Sequence, residues 1–204
     1  MTQKQERPLV ERCPDCQKPL GICFCKELKA KGALPTRIWT LILQHPQEKV
    51  EALSTAPLIV SGLERARINV GLSWPNFARA WERGKSAGEV GQQPTLDPKR
   101  WAVVYLGSGL KGKNHPDLLT SELVFVNKSS EATKAPEEKL EGIVLLDGTW
   151  SQAKTLWWRN PWLLKLRRAL LIPKKPSLYR HLRKEPRKEC VSTLESAALA
   201  LSAL

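Results

Sequence analysis

Gly142-Ile-Val-Leu-Leu-Asp147-Gly-Thr-Trp-Ser-Gln152 decides how the rest of the chain is read. Gly142 to Leu146 is an apolar run of strand length without polar alternation, the pattern of a strand whose two faces are both covered, as in a parallel sheet. From Ser151 the apolar positions Ala153, Leu156 and Trp157 take helical spacing, so a helix is expected over Ser151 to Arg159. Asp147 then lies at the carboxyl end of the strand, where open α/β sheets display reactive groups. Thr149-Trp-Ser-Gln152 fits a capping box, in which the hydroxyl and the glutamine satisfy free backbone N–H groups. A cap alone would account for Thr149. Asp147 stands too early for it.

Similar apolar runs stand at Arg37 to Gln44, Ile68 to Leu72, Trp101 to Leu106, Leu123 to Val126 and Ala169 to Ile172. Helical segments stand at Ser54 to Arg67, Phe77 to Arg83, Pro161 to Arg168 and Thr193 to Leu204. Strand and helix in alternation predict an α/β fold, a mostly parallel sheet with helices on both faces. Asn160-Pro161 breaks the Trp-rich helical region, with Pro in a first turn and Asn available as its cap. Residues 84–100 and 127–141 are polar and read as surface loops. Residues 1–33 read as a small appendage and residues 34–204 as the main domain.

The appendage holds Cys13-Pro-Asp-Cys16 and Cys23-Phe-Cys25, two close pairs that can complete a tetrahedral zinc site. Two reduced pairs are the alternative. A disulfide framework fits poorly, because nothing marks the chain for export. Cys190 reads as a small buried apolar residue. No run approaches the ~18 apolar residues that span a bilayer, so no membrane partner and a cytoplasmic address are expected. The 33 Lys and Arg exceed the 20 Asp and Glu by 13, a surplus that points to a polyanion such as nucleic acid. Residues 165–188 concentrate ten of those cations against the single acid Glu185, a strip suited to tracking phosphates. Gly107-Ser-Gly109-Leu-Lys-Gly112 satisfies a dinucleotide fingerprint in spacing, but Lys113-Asn-His-Pro116 cannot open the helix that fingerprint needs, so the loop is read as a ligand loop or a plain turn.

Taken together, Asp147-Gly-Thr-Trp150, the four cysteines, Leu43-Gln-His-Pro46-Gln-Glu48, Ser54-Thr55, Leu182-Arg-Lys-Glu-Pro186 and Ser192-Thr-Leu-Glu195 resemble the DTW-domain proteins, the tRNA-uridine aminocarboxypropyltransferases. The resemblance runs from about residue 12 to residue 204. Ser54 departs from the asparagine expected in many relatives, and Tyr105-Leu-Gly-Ser-Gly lacks a proline common in that loop. The resemblance implies a SPOUT-like fold with a C-terminal trefoil knot, S-adenosylmethionine as donor, and transfer of its 3-amino-3-carboxypropyl group to N3 of a tRNA uridine. It places the donor at Leu106, Gly107, Ser108, Gly109, Asp147, Thr149, Trp150, Leu171, Ile172, Pro173, Ser192, Thr193 and Glu195, with Asp147 as general base or orienting group. Ser192-Thr-Leu-Glu195 also fits a plain capping box, and Trp150 also fits a core position. His45, Lys154, Lys174, Lys175, Arg180, Arg183 and Arg187 are the expected tRNA contacts. The rivals are a ribosomal RNA enzyme of the same chemistry, a SPOUT methyltransferase, and a non-catalytic zinc-bearing RNA-binding module. A monomer is compatible with the sequence.

Overall fold

The computed structural model describes residues 10–86, 93–104, 121–181 and 191–204. Its centre is a seven-stranded sheet: β1 (Trp39–Gln44), β2 (Ala66–Val70), β3 (Trp101–Val104), β4 (Leu123–Val126), β5 (Ala132–Thr133), β6 (Gly142–Asp147) and β7 (Arg167–Leu171), in the order β2-β1-β6-β3-β7-β4-β5. The first five in that order are mutually parallel, and β4 and β5 add an antiparallel edge. The strand that ends in Asp147, β6, lies between β1 and β3.

Burial on both faces explains why β1, β3, β4 and β6 are apolar almost throughout. Along β6, Ile143 and Leu145 enter one core with Ile42, Ala102 and Ala169, while Val144 enters the other with Leu41, Leu43 and Val103. The first face is covered by α2 (Ala56–Gly62) and α5 (Thr193–Ala203), whose Ile59, Val60, Ala197 and Ala200 pack into it. The second is covered by α3 (Phe77–Glu82) and α4 (Trp150–Arg159), which contribute Phe77, Ala80, Trp81 and Leu156. This second core is aromatic: Trp39 meets Trp81 edge-on at 5.0 Å, Phe77 meets Trp101 edge-on at 5.0 Å, and Phe77 stacks on Trp162 at 5.3 Å. Gly142 serves that packing. A Cβ there would lie 2.5 Å from the Trp101 ring, so the indole can cross β6 only over a residue without a side chain.

The helix expected over residues 54–67 ends at Gly62, and β2 begins at Ala66 instead of Ile68, because the register Thr40↔Ala66 carries the second half of that apolar run into the sheet. The helix expected over residues 161–168 is a 3-10 turn, Pro161–Lys165, followed at once by β7. Burying Trp162 and Leu163 leaves the chain at the sheet within one short turn, and no room remains for a helix. Asn160 is not a side-chain cap of that turn. Residues 127–141, expected as loop, include β5, and the cysteine segment contains a helix, α1 (Cys25–Lys31). No helix among the described residues is long and apolar enough to cross a membrane.

Candidate active site at the carboxyl edge of the sheet

Parallel strands place their carboxyl ends on one edge, where the register pairs Gln44 of β1 with Asp147 of β6. Asp147 is 4% exposed, and both of its carboxylate oxygens accept hydrogen bonds. Gln44 Nε2 donates to Oδ2 at 2.8 Å and also to the Ser54 hydroxyl at 3.1 Å. The Thr193 hydroxyl, at the start of α5, donates to Oδ1. The Leu194 N–H donates to the Thr55 hydroxyl at 3.2 Å, so Ser54-Thr55 and Thr193-Leu194 close around the acid from two sides. A buried carboxylate held this way keeps one orientation, since turning it would break charge-assisted bonds in a low-dielectric setting.

The sharp turn after Asp147 requires glycine. A Cβ on Gly148 would lie 2.8 Å from Gln152 Cβ. The capping box expected at Thr149 forms: its hydroxyl accepts from the Gln152 N–H at 3.3 Å, and the Gln152 side chain accepts from the Thr149 N–H at 2.6 Å. Gln152 also reaches Gln47 at 3.0 Å, which ties α4 to the turn after His45. Trp150 is half-buried with Lys154 over its ring at 5.6 Å, and His45 is half-buried as the cap of that turn.

The second expected box also forms at α5, with the Glu195 N–H donating to Ser192 Oγ at 3.2 Å and the Ser192 N–H donating to Glu195 Oε2 at 2.7 Å. Glu195 additionally accepts from the Ser177 hydroxyl at 2.8 Å and the Leu178 N–H at 2.7 Å. Burial alone raises its carboxyl pKa, but the bonds from Ser192, Ser177 and Leu178 outweigh it and leave the group below its ordinary value. Glu195 thus anchors the segment leading out of β7. Tyr179 completes the anchor by donating to the Leu53 carbonyl at 2.7 Å.

Of the other expected site residues, Leu171 ends β7 at this edge, Ile172 is exposed and Pro173 half-buried beyond it. Lys154, Lys174 and Lys175 are exposed. Arg180 belongs to a 3-10 turn, Leu178–His181. Leu106, Gly107, Ser108, Gly109, Cys190, Arg183, Arg187 and the Leu182-to-Pro186 motif lie outside the described residues. Sequence reasoning missed Gln44 and Ser177 as site residues, and the Ser54-Thr55 pair served only as a resemblance mark. For Gln44 the available signal was its place at the end of an apolar run, whereas Ser177 follows Lys174-Lys-Pro176 and carries no such mark.

The four cysteines come together as expected. Their sulfurs all lie within 4.8 Å of one another, and Cys16 and Cys23 are 3.6 Å apart. A zinc ion with bonds of ~2.3 Å sets tetrahedral sulfurs about 3.8 Å apart, so the spacing fits a metal and no disulfide is formed among them. Burial pushes the Cys16 and Cys25 thiols up, whereas the Cys16 backbone N–H pulls Cys13 down to about 7. A bound cation would favour thiolate at all four positions. Buried Lys18 links this cluster to the turn ahead of α2 by donating to the Ala52 carbonyl at 2.5 Å, two residues before Ser54.

Comparison with known proteins bears on the whole chain. The family model described as the DTW domain matches residues 10–204. The chain is 31% identical over 196 residues to a Drosophila melanogaster protein named tRNA-uridine aminocarboxypropyltransferase 2, covering 95% of this chain and 66% of that protein. It is 28% identical over 196 residues to the Mus musculus protein of the same name, covering 94% and 56%, and 28% identical over 206 residues to tRNA-uridine aminocarboxypropyltransferase A of Arabidopsis thaliana, covering 94% and 72%. The chain thus spans a little over half to two-thirds of the length of the first two. No solved structure matches it. A family model that takes in both the cysteine cluster and the Asp147 edge covers every feature described above, and the chain belongs to the DTW domain family.

Proposed function

We propose that this chain is a tRNA-uridine aminocarboxypropyltransferase, with residues 1–33 as a zinc knuckle and residues 34–204 as the transferase domain. The observation that carries the reading is the similarity over nearly the whole chain to proteins of that name, in a chain whose family signature falls on the buried, two-fold bonded Asp147. The proposed donor is S-adenosylmethionine, whose sulfonium makes the attached carbon of the aminocarboxypropyl arm electrophilic. In the transfer, uridine N3 loses its proton, the N3–C bond forms, and the C–S bond breaks with its electron pair leaving on methylthioadenosine.

The residues at the edge fit such a donor. Asp147 supplies negative charge for a cation, Thr193 a hydroxyl, and exposed Ile172 and Leu194 apolar surface for the adenosine. Because the sulfonium bears three carbons, orientation selects the product. Both oxygens of Asp147 already accept hydrogen bonds, so it serves first to orient the cationic donor, whose sulfonium would offset the charge of the forming uridine anion. Proton acceptance by Asp147 is its second role here, open to it once Thr193 turns its hydroxyl away.

The SPOUT-like reading draws support from β6, which inserts between β1 and β3 although both precede it in the chain. A trefoil knot would concern the path of residues 172–192, part of which lies outside the described residues. The sulfur spacing supports zinc in the Cys13, Cys16, Cys23, Cys25 set, and the excess of cations supports tRNA as the acceptor.

Unmodified tRNA incubated with donor labelled separately in the methyl and carboxypropyl groups tests the reading. Carboxypropyl label should enter the RNA with release of methylthioadenosine. Methyl label in the RNA would make the chain a methyltransferase, and no label with intact binding would make it a binding module.

A further inference from the structure

The helix α4 begins beside Asp147 and runs away from it, and its sequence carries tryptophans beyond those the core uses. At 100° per residue, Trp150, Lys154, Trp157 and Trp158 fall within an arc of about 100° on its surface, next to the buried stripe of Ala153 and Leu156. Trp158 is 76% exposed, a large price in unburied indole for a residue two turns into the helix. Cations accompany the rings: Lys154 lies over Trp150 at 5.6 Å and Arg168 over Trp157 at 5.5 Å. Residues 148–184 contain ten Lys and Arg and no Asp or Glu. The acids of other elements that reach this run are engaged: Glu138 pairs with Arg167 at 3.0 Å, Glu122 accepts from the Lys174 N–H at 2.9 Å, and Glu195 holds Ser177 and the Leu178 N–H.

We infer that this face of α4 is a stacking platform for unpaired bases of an RNA strand, with Trp158 as its outer ring. Aromatic faces interleaved with cations bind single-stranded nucleic acid because every base offers a π-face while its phosphates need positive charge. Charge complementarity favours RNA over a protein partner, since an apolar protein surface would gain nothing from so unbroken a run of cations. The helical rise sets Trp150 and Trp158 about 12 Å apart along the axis, enough to hold a few nucleotides on the way to Asp147. The inference rests on the transferase reading for the identity of the RNA, and it adds where a loop of the substrate is gripped.

The full chain is titrated with unmodified tRNA transcript, a short oligouridylate and a blunt RNA duplex, and thermal melting is followed in parallel. Trp158→Ala should weaken tRNA and oligouridylate about tenfold, spare the duplex and leave melting unchanged, while Trp158→Phe keeps most of the affinity. It should also leave the salt slope of binding unchanged, whereas Lys154→Gln lowers that slope by about one. Affinity of Trp158→Ala equal to the parent for tRNA and oligouridylate would overturn the platform. So would a dimer of the parent chain that the substitution dissolves, because the ring would then be covered by a second copy. A parent chain that transfers nothing to tRNA, yet loses oligouridylate affinity on Trp158→Ala, would overturn the transferase reading and leave the platform standing.

Discussion

Asp147 is placed so that charge and shape can be tested apart. Asparagine is nearly isosteric and retains a carbonyl oxygen for Gln44, while the Thr193 hydroxyl can turn to accept from the new amide. The substitution therefore removes a negative charge at little cost to packing. Asp147→Asn should lower transfer by roughly 10² to 10⁴ with tRNA affinity almost unchanged. Single-turnover transfer and tRNA binding measured on the same preparation check this, and turnover near the parent's would remove the acid from the chemistry. Thr193 holds that acid from the opposite side, so its hydroxyl belongs to the same unit.

Between α4 and β7 the chain turns on Asn160, which is fully buried and bonded in four directions. Its Oδ1 accepts from the Trp74 N–H at 2.9 Å and from Trp162 Nε1 at 3.2 Å, and its Nδ2 donates to the carbonyls of Leu156 at 2.7 Å and Leu72 at 3.1 Å. One amide thus joins the end of α4, the 3-10 turn and the segment before α3. Alanine there strands two donors and two acceptors in the aromatic core. Asn160→Ala should cost about 3 to 5 kcal/mol of stability, read from denaturant unfolding, with the unfolding slope unchanged. A loss below about 1 kcal/mol would mean that water replaces the amide.

At the scale of the whole molecule, the cysteine cluster and the active edge share a turn. Lys18, two residues from Cys16, holds the Ala52 carbonyl, Tyr179 holds that of Leu53, and Ser54 receives Gln44, which in turn holds Asp147. A metal that fixes the cysteines would therefore steady the platform on which the acid is oriented. Stripping the metal with a strong chelator should release about one zinc per chain, lower the melting temperature and reduce transfer, with zinc restoring both. Elemental analysis that finds no metal, or transfer unaffected by its removal, would confine the cluster to a role apart from the site.

The layers of this protein are written in local patterns. Unbroken apolar runs such as residues 142–146 can only be buried on both faces, and Thr149-Trp-Ser-Gln152 and Ser192-Thr-Leu-Glu195 cap helices through contacts three residues apart. The four cysteines were legible for the same reason, because short spacings bring ligands together locally. Which distant residues share an edge follows from the topology of the sheet. Gln44 and Asp147 are 103 positions apart, and their pairing depends on β6 entering between β1 and β3, an order that no local pattern encodes. Asn160 shows the same limit: as a sequence it is a helix breaker, and only its burial among Trp74, Leu72 and Trp162 makes it a joint of the fold. Hydrophobic periodicity reports whether a residue is covered, whereas partners across a sheet depend on the path of the whole chain.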